Sequence, residues 1–251
     1  MCGRFTLRTP AASWIQEFLP LWTPDEISKR SAELAIAARF NIAPTQSVST
    51  IRSGAGDQAH RDWSPLRWGL VPSWAKEITI GNRMINARSE TAHEKRSFRS
   101  AFQKRRCVIP ADGYFEWKTA SSGKQPYLIE RRDGGVLAMA GLWEANARLG
   151  RGPDEPLETC TVLTTDANET TRGVHDRMPV FLDNESVADW LSAASNTDDL
   201  RDLMRPAANE LLKLTPVSKQ VGNPKNDDPE CVRPIELPSR PKPGLLFDLD
   251  E

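Results

Sequence analysis

The chain has 251 residues, of which 39% are hydrophobic and 27% are charged, a composition typical of a soluble globular protein with a sizeable core. Its 33 basic and 34 acidic residues give a net charge of −1, which argues against bulk attraction to nucleic acid. No apolar run approaches the roughly 20 residues that span a bilayer, and the N-terminus lacks the basic and apolar segments of a secretory signal, so we expect a cytoplasmic protein.

The chain begins Met1-Cys2-Gly3-Arg4-Phe5. Removal of Met1 would leave Cys2 with a thiol and an α-amine on adjacent carbons. Because the ordinary pKa values of these groups are about 8.5 and 7.7–8.0, the amine can act as the base for the thiol. A 1,2-aminothiol also condenses with an aldehyde, first to an imine and then to a five-membered thiazolidine. Small residues often follow Met merely because trimming tolerates them, so the motif alone leaves both meanings open.

The first quarter of the chain predicts short elements. In chain order these are a helix with Thr9 as N-cap and Pro10 as first residue running through Phe18, a helix from Asp25 to about Ala37, an extended segment over 39–44, a strand over 47–52 and a loop over 53–62.

The next segment, Trp68-Gly69-Leu70-Val71-Pro72-Ser73-Trp74, combines aromatic residues with chain breakers. It fits either core packing around a tight corner or a wall against unstacked bases. Basic residues then gather in a short stretch where only Glu90 and Glu94 oppose them. They are Arg83, Arg88, Lys95, Arg96, Arg99, Lys104, Arg105 and Arg106. This stretch fits either a solvated helix face or a basic strip for phosphates.

The second half predicts a β meander, because short β-rich runs alternate with turn residues. The predicted strands lie at 107–110, 114–117, 127–129, 136–144, 159–164 and 212–217, and the predicted helices near 186–193 and 197–205. We find no internal repeat and no interdomain linker. The fold class that follows is α+β: a single domain with a mainly antiparallel β core and peripheral helices.

Three polar residues are candidates for chemistry. Glu116 lies between two aromatic residues of a predicted strand; alternation alone favours a solvent-facing carboxylate, and the functional alternative is a desolvated carboxyl with a raised pKa. His175 is the best acid–base candidate among three histidines, because His60 lies in a polar loop and His93 in the basic stretch. Asn86 fits either a turn or cap, or a group that orients a nucleophile.

The four cysteines are too scattered for a zinc site, so Cys107, Cys160 and Cys231 are expected to be structural free thiols.

Seven segments together resemble the SRAP family (SOS response-associated peptidase), which includes the abasic-site crosslinking proteins of bacteria and eukaryotes. The segments are Met1-Cys2-Gly3-Arg4-Phe5, Arg39-Phe40-Asn41-Ile42-Ala43-Pro44, Trp68 to Trp74, Ile85-Asn86-Ala87-Arg88-Ser89-Glu90-Thr91, Arg106 to Trp117, Ala140-Gly141-Leu142-Trp143-Glu144 and His175-Asp176-Arg177-Met178-Pro179. The resemblance predicts an SRAP domain over 1–235, followed by a Pro-rich acidic tail over 236–251. Gly222 departs from the family pattern, which has a larger polar residue there.

The resemblance implies a barrel-like SRAP fold and a role in the DNA damage response. The chain would recognise abasic sites in single-stranded DNA and form a covalent thiazolidine crosslink through Cys2 after Met1 removal. It would act as a single-turnover enzyme of the SOS response, with self-processing peptidase and lyase-like Schiff-base chemistry. The resemblance further implies no cofactor, no metal ion, no membrane partner, a monomer, and association with the nucleoid on DNA damage.

The same resemblance implies roles for individual residues. Asn86 would hold the backbone or amine of Cys2, whereas Glu116 and His175 would transfer protons. The implied DNA-binding residues are Arg4, Arg88 and Arg177 on the phosphates and Pro44, Trp68 and Trp117 in the bend or stacking platform.

Two other functions use the same residues. Cys2 would be the nucleophile of an N-terminal-nucleophile hydrolase or peptidase, acting on Met1 or on peptides. Alternatively, Cys2 is incidental and the chain is a single-strand DNA-binding module.

Overall fold

The computed structural model describes residues 2–19, 22–30, 36–53, 61–120, 123–152 and 154–237. The strands are β1 (Phe5–Leu7), β2 (Arg39–Ile42), β3 (Ser47–Ser53), β4 (Arg61–Trp68), β5 (Asn86–Arg88), β6 (Arg106–Ala111), β7 (Gly113–Ala120), β8 (Gly123–Arg131), β9 (Leu137–Asn146), β10 (Leu157–Asp166), β11 (Arg177–Pro179), β12 (Phe181–Leu182) and β13 (Leu212–Pro216). The helices are α1 (Ala11–Phe18), α2 (Pro24–Lys29), α3 (Ser89–Ala92), α4 (Arg99–Lys104), α5 (Glu169–Arg172), α6 (Asn184–Leu191) and α7 (Thr197–Asp202).

Five strands close into a barrel. β4 pairs with β3, β3 with β6, β6 with β9 and β9 with β10, all antiparallel, and a parallel pairing of β10 with β4 completes the ring. Closure satisfies the backbone donors and acceptors that an open sheet would leave at its edges. Gly141 lies where the wall is most crowded, since a Cβ there would approach the Cys107 sulfur to 2.9 Å. The α+β prediction with a mainly antiparallel, barrel-like core is confirmed.

A second sheet positions the N-terminus. Its strand order is β13-β8-β7-β1-β2, so β1 lies between β7 and β2. Phe5 of β1 pairs with Tyr114 of β7 on one side and with Ile42 of β2 on the other. The residues just before β1 are therefore held beside the middle of β7.

The short strand β5 extends the barrel wall toward this sheet. It runs parallel to β10, with Asn86 opposite Val162. Helix α6 covers the barrel near β6: Trp190 is fully buried and its indole N–H donates to the Cys107 carbonyl at 3.0 Å. In the ranges given above, no helix has both the length and the apolar character needed to cross a membrane.

Three predicted boundaries in the first quarter of the chain are wrong. The first helix begins at Ala11 with Pro10 as its N-cap, because the Thr9 hydroxyl donates to Asp112 at 2.6 Å instead of capping. The second helix ends at Lys29; residues 36–37 are not helical, and 31–35 lie outside the described residues. The loop predicted over 53–62 is shorter, because Ser53 belongs to β3 and residues 61–62 belong to β4. Its centre, 54–60 with His60, lies outside the described residues.

The basic stretch is likewise not one helix face. Its residues are divided among the 3-10 turn Ile78–Arg83, β5, the turn between α3 and α4, α4 and β6. The tail predicted over 236–251 is described only through residue 237.

Candidate functional site

Cys2 lies buried at the junction of the second sheet and the barrel. Its side chain is 0% exposed, and its sulfur lies 3.9 Å from the Arg4 carbonyl oxygen. The Asn86 side-chain amide donates to the Cys2 carbonyl oxygen at 2.7 Å. Because β5 pairs with β10, the strand that carries this amide is held in place by backbone hydrogen bonds. The site thus holds the Cys2 backbone from the barrel side.

Glu116 approaches Cys2 from β7. The carboxyl is only 4% exposed, so the solvent-facing orientation that alternation favours is wrong. Both faces of β7 are covered at this point, because Phe115 on the opposite face is also fully buried. Burial raises the pKa of the Glu116 carboxyl, and the positive charge of His175 acts in the opposite direction.

The Cys2 thiol is kept protonated by the same environment. Burial raises its pKa far above the ordinary thiol value, and the negative charge of Glu116 raises it further. A thiolate here therefore requires a partner that takes its proton during the reaction. Glu116 is the group whose charge the thiol senses.

His175 lies in the loop between α5 and β11. Its Nδ1 accepts the Arg177 backbone N–H at 3.0 Å, which leaves the proton of the neutral ring on Nε2. The same Nδ1 lies 2.8 Å from an Asp176 carboxylate oxygen, a contact that becomes an ion pair when the ring is protonated. Both contacts hold the ring through Nδ1 and leave Nε2 as the nitrogen available to the site.

Tyr114 is a site residue that the sequence analysis missed. It lies two residues before Glu116 on β7, so the two side chains share one face of the strand. Its side chain is 0% exposed; burial raises its pKa well above the ordinary value, and the charges of Cys2 and Glu116 add to this. The i, i+2 spacing from a candidate carboxyl was the available signal.

Residues predicted to bind DNA occupy different environments. Arg88 is exposed on β5, whereas Pro44 and Trp117 are half-buried. The Arg4 guanidinium donates to the Asn41 side chain at 2.8 Å and to the Val221 carbonyl at 2.7 Å, and lies 5.9 Å from the Trp117 ring centre. Arg4 therefore ties β1 to neighbouring segments, and its contact with phosphate stays a prediction.

Trp68 is not a surface aromatic. It is 0% exposed, its ring packs edge-on against Phe5 at 5.1 Å, and its indole N–H donates to the Ile85 carbonyl at 2.8 Å. The predicted DNA contact is not available in this conformation. Trp68 instead positions the residue that precedes Asn86.

Arg177 is enclosed by acidic partners. Its side chain is 9% exposed and bonds both Glu90 oxygens at 2.6 and 2.9 Å, Asp166 at 2.7 Å and the Thr164 carbonyl at 2.6 Å. These contacts fix β11 against β10 and leave the guanidinium neutralised. Its contact with a DNA phosphate stays a prediction that this arrangement does not favour.

We expect Arg177→Ala to lower the free energy of unfolding by about 1–3 kcal/mol, because the buried Thr164 carbonyl loses this donor and the ion pairs with Glu90 and Asp166 are removed. Urea unfolding measures this. Arg88→Ala is the matched control: Arg88 is exposed, and its loss should cost under about 0.5 kcal/mol. Equal stability of the two variants would contradict a structural role for Arg177.

Two more residues of the basic stretch are structural. Arg106 is buried and donates to the Phe102, Trp190 and Ser192 carbonyls at 2.6–2.7 Å. Arg105 pairs with the buried Glu144 at 2.8 Å. The exposed cations of the stretch are Arg83, Arg88, Lys95, Arg96, Arg99 and Lys104. The basic surface is therefore narrower than the sequence indicates.

The other cysteines differ from Cys2 in their surroundings. Cys107, Cys160 and Cys231 are buried free thiols, as predicted. Across the described part of the chain, no group of three or more His, Cys, Asp or Glu residues is arranged to hold a metal ion.

The family model for SOS response associated peptidases (SRAP) matches residues 1–224. Abasic site processing protein YoqW of Bacillus subtilis is 38% identical over 234 residues, which cover 92% of this chain and 99% of that protein. Abasic site processing protein HMCES of Gallus gallus is 38% identical over 205 residues, covering 72% of this chain and 60% of that protein.

A crystal structure of a protein from Bacteroides thetaiotaomicron superposes with a TM-score of 0.80 at 24% identity, over 94% of this chain and all of that one. This likeness supports the fold alone.

Proposed function

The chain belongs to the SRAP family and processes abasic sites in damaged DNA, and we propose that it captures these sites covalently in single-stranded DNA. The nucleophile is Cys2, freed at its amine by loss of Met1. The product is a thiazolidine that joins both Cys2 heteroatoms to the aldehyde carbon of the opened sugar. The observation that carries the proposal is that Asn86 and Glu116 both act on Cys2. Asn86 binds its carbonyl oxygen, and the charge of Glu116 acts on its thiol.

The first steps consume the aldehyde. Opening the closed sugar requires a base for the hemiacetal hydroxyl and an acid for the ring oxygen. The Cys2 amine then attacks the aldehyde carbon, and the carbinolamine loses water when an acid protonates its hydroxyl. The charge of Glu116 acts on the Cys2 thiol and the charge of His175 acts on Glu116, so we assign the proton transfers to these two groups.

The last step closes the ring. The Cys2 sulfur bonds to the imine carbon, the π electrons of the C=N bond pass to nitrogen, and the thiol proton follows through Glu116. A protonated, buried thiol suits this order, because the amine reacts first and the thiol is deprotonated only when an imine is present. Burial also keeps the thiol from reacting with other electrophiles.

Recognition of the flanking strand needs no base readout. Phosphate contacts position DNA without specifying its sequence, which suits a lesion that lacks a base. Arg88, exposed on the strand that carries Asn86, is the best-placed cation for this task. The net charge of −1 is compatible with this, because only the local surface must be basic.

The direct test is an SDS-resistant adduct between the purified protein and an oligonucleotide that contains one abasic site. A wild-type protein without Met1 that gives no adduct would contradict the proposal. Equal affinity for abasic and undamaged strands, again without adduct, would favour a simple DNA-binding module.

We expect Asn86→Ala to slow adduct formation by about 100-fold, because loss of the bond to the Cys2 carbonyl lets the nucleophile shift by about 1 Å. Single-turnover kinetics on the abasic oligonucleotide measure the rate. Asn146→Ala is a useful contrast, since that buried amide binds the Pro72 and Ala75 carbonyls and does not contact Cys2. An unchanged rate in Asn86→Ala would remove Asn86 from the mechanism.

Removal of Met1 by the protein itself is a second candidate activity, favoured by the placement of Glu116 beside the Cys2 thiol. The thiol would attack the Met1 carbonyl, the C–N bond between Met1 and Cys2 would break, and the thiol proton would pass to the Cys2 nitrogen. Water would then hydrolyse the thioester, releasing Met1 as the free acid and regenerating the thiol. Intact-mass analysis of Glu116→Gln tests this. Retention of Met1 only in the variant supports self-processing, and complete loss of Met1 in the variant contradicts it.

A further inference from the structure

Tyr114 lies close to Cys2 and Glu116, and the steps described above give it no task. It precedes Glu116 by two residues on β7, and its backbone pairs with Phe5 of β1. The charges of Cys2 and of Glu116 both act on the phenol, so the three side chains share one region of the interior. The Tyr114 side chain is 0% exposed, so water does not solvate it there.

The Tyr114 hydroxyl is a buried polar group whose hydrogen-bonding capacity is unused. Among the residues that the structure describes, none lies at normal hydrogen-bond geometry to it. The Thr171 hydroxyl has the smallest of the effects on the phenol pKa and already donates to Asn168 Oδ1 at 3.0 Å. A buried O–H without a partner costs free energy, and native proteins keep few such groups. Its retention beside a nucleophile points to a partner that arrives with the substrate.

The ring of Tyr114 is fixed by its neighbours. Its centre lies 6.0 Å from that of Phe181, a residue of β12 that pairs with Met139 of β9. At Gly113, a Cβ would lie 2.7 Å from the Ile129 carbonyl oxygen, so β7 and β8 are in close backbone contact just before Tyr114. The hydroxyl is therefore presented by a fixed ring on a fixed strand.

The turn that carries His175 reaches the same region. Thr171, whose hydroxyl acts on the phenol, accepts the His175 backbone N–H through its carbonyl oxygen at 3.2 Å. The charge of His175 acts in turn on Glu116. The Tyr114 hydroxyl is thus close both to the strand that carries Glu116 and to the turn that carries His175.

The phenol can donate a hydrogen bond but cannot serve as a base near neutral pH. Burial raises the pKa of Tyr114 well above its ordinary value, and the negative charges of Cys2 and Glu116 raise it further. The proton therefore stays on the phenol oxygen. Proton exchange falls to Glu116, whose carboxyl pKa is raised from its acidic value.

The captured aldehyde brings an oxygen into this region. Its carbon must bond to the Cys2 nitrogen, so the aldehyde oxygen arrives two bonds away from that nitrogen. As the N–C bond forms, the π electrons of the C=O bond pass to the oxygen, which gains negative charge. A fixed donor aimed at such an oxygen stabilises the transition state, and tyrosine is one of the side chains that supply it.

We propose that the Tyr114 hydroxyl donates a hydrogen bond to the oxygen of the aldehyde carbon while the Cys2 amine adds to that carbon. The proton that the nitrogen releases passes through Glu116 to the oxygen and gives the carbinolamine, and Tyr114 keeps its own proton. The same hydrogen bond then holds the hydroxyl that departs as water. The inference rests on the proposed function and deepens it, because it assigns a donor to the reacting oxygen at the Cys2 site.

The test compares the rates at which wild type and Tyr114→Phe form the adduct with an abasic oligonucleotide. We expect Tyr114→Phe to be about 10²–10³-fold slower, the usual cost of losing one donor to a developing oxyanion. The slowing should be the same from about pH 6 to about pH 9, because the phenol does not titrate in this range. A slowing that disappears at either end of the range would overturn the inference.

Thermal unfolding separates this role from a structural one. Phenylalanine keeps the packing on Phe181 and removes only the unused hydroxyl, so the Tm of Tyr114→Phe should equal or exceed that of wild type. A lower Tm with a wild-type rate of crosslinking would show that the hydroxyl is structural.

Tyr127→Phe is the matched control. Tyr127 is the only other tyrosine of the chain, and it lies opposite Glu116 on β8, half-buried. Its hydroxyl has no assigned contact with the reacting oxygen, so the variant should crosslink at the wild-type rate. Equal slowing of Tyr114→Phe and Tyr127→Phe would show a general disturbance of Glu116 and would overturn the inference.

A second arm identifies the step. In a Cys2→Ala background the ring cannot close, so the adduct trapped with borohydride reports imine formation alone. Adding Tyr114→Phe should slow trapping by the same factor, and an unchanged rate would move Tyr114 to ring closure. An oligonucleotide whose aldehyde lacks the hydroxyl needed to form a hemiacetal should also show the full slowing. Loss of the slowing there would assign Tyr114 to sugar opening. Either of these two results would overturn the inference.

Failure of this inference and failure of the proposed function give different results. If wild type forms no adduct, the proposed function fails. If wild type forms the adduct and Tyr114→Phe forms it equally fast, only the role of Tyr114 fails.

Discussion

Cys2→Ala is expected to abolish the SDS- and heat-resistant adduct with an abasic oligonucleotide. Alanine keeps the α-amine and is small enough for Met1 to be removed, so an imine can still form. Without the thiol the ring cannot close, and the imine hydrolyses when the protein is denatured. Treatment with borohydride before denaturation should therefore restore a covalent band. Denaturing gels with and without the reductant measure both outcomes.

Cys160→Ala is the control for this experiment. Cys160 is another fully buried thiol, on β10 of the barrel wall, and its loss should leave crosslinking unchanged. A heat-resistant adduct of equal yield in Cys2→Ala, without reductant, would show that another residue is the nucleophile.

Glu116→Gln is expected to slow adduct formation by about 10²–10⁴-fold, the usual contribution of a positioned acid–base group. Glutamine has nearly the same shape but neither accepts nor releases a proton at neutral pH. Rapid-quench kinetics on the abasic oligonucleotide give the rate. Glu144→Gln is the matched control, because Glu144 is also a buried strand carboxyl, 5% exposed, but it pairs with Arg105 and not with Cys2.

The same substitution should increase stability. Burial raises the pKa of Glu116 in the folded chain, so the folded state holds its proton more tightly than the unfolded state. The stabilisation that the protonated carboxyl contributes is complete below the unfolded pKa of about 4.3 and is lost as the pH rises through the folded pKa. Glu116→Gln removes this pH-dependent cost, so its advantage in Tm over wild type should grow from acidic to neutral pH.

Glu144→Gln should show the opposite sign at neutral pH, because it breaks a charge-assisted hydrogen bond and leaves Arg105 with a weaker partner. A Glu116→Gln protein that is less stable than wild type at neutral pH, with an unchanged crosslinking rate, would show that Glu116 is structural. Lower rate together with higher stability is the pattern of a site that retains an unfavourable group for function.

The sequence predicted most of the meander correctly, because its signal is local. The strands near 107–110, 114–117, 127–129 and 136–144 are short β-rich runs bounded by turn residues, and the structure contains all of them. Closure of the barrel could not be predicted from such local signals. It depends on the parallel pairing of β10 with β4, whose partner residues, such as Thr159 and Arg67, are far apart in the chain.

The site shows the same division. The reactivity of an N-terminal aminothiol follows from covalent structure alone, so the chemistry of Cys2 after Met1 removal could be derived from the sequence. The environment of Glu116 could not, because alternation shows which residues share a face of a strand but not whether that face is covered. For the same reason the sequence left open whether Trp68 packs in the core or forms a wall against bases, and the structure shows it in the core.

The environment of a charged side chain, like its burial, could not be predicted from the sequence. A count of arginines cannot distinguish Arg88, which is exposed, from Arg177, which is surrounded by Glu90, Asp166 and the Thr164 carbonyl. By itself the sequence determined the strands, the turns and the chemistry of the first residues, because these depend on bonded or adjacent groups. Only the tertiary structure decided which carboxyl is desolvated, which guanidinium is neutralised and which tryptophan faces water, because each depends on residues that meet only when the sheets close.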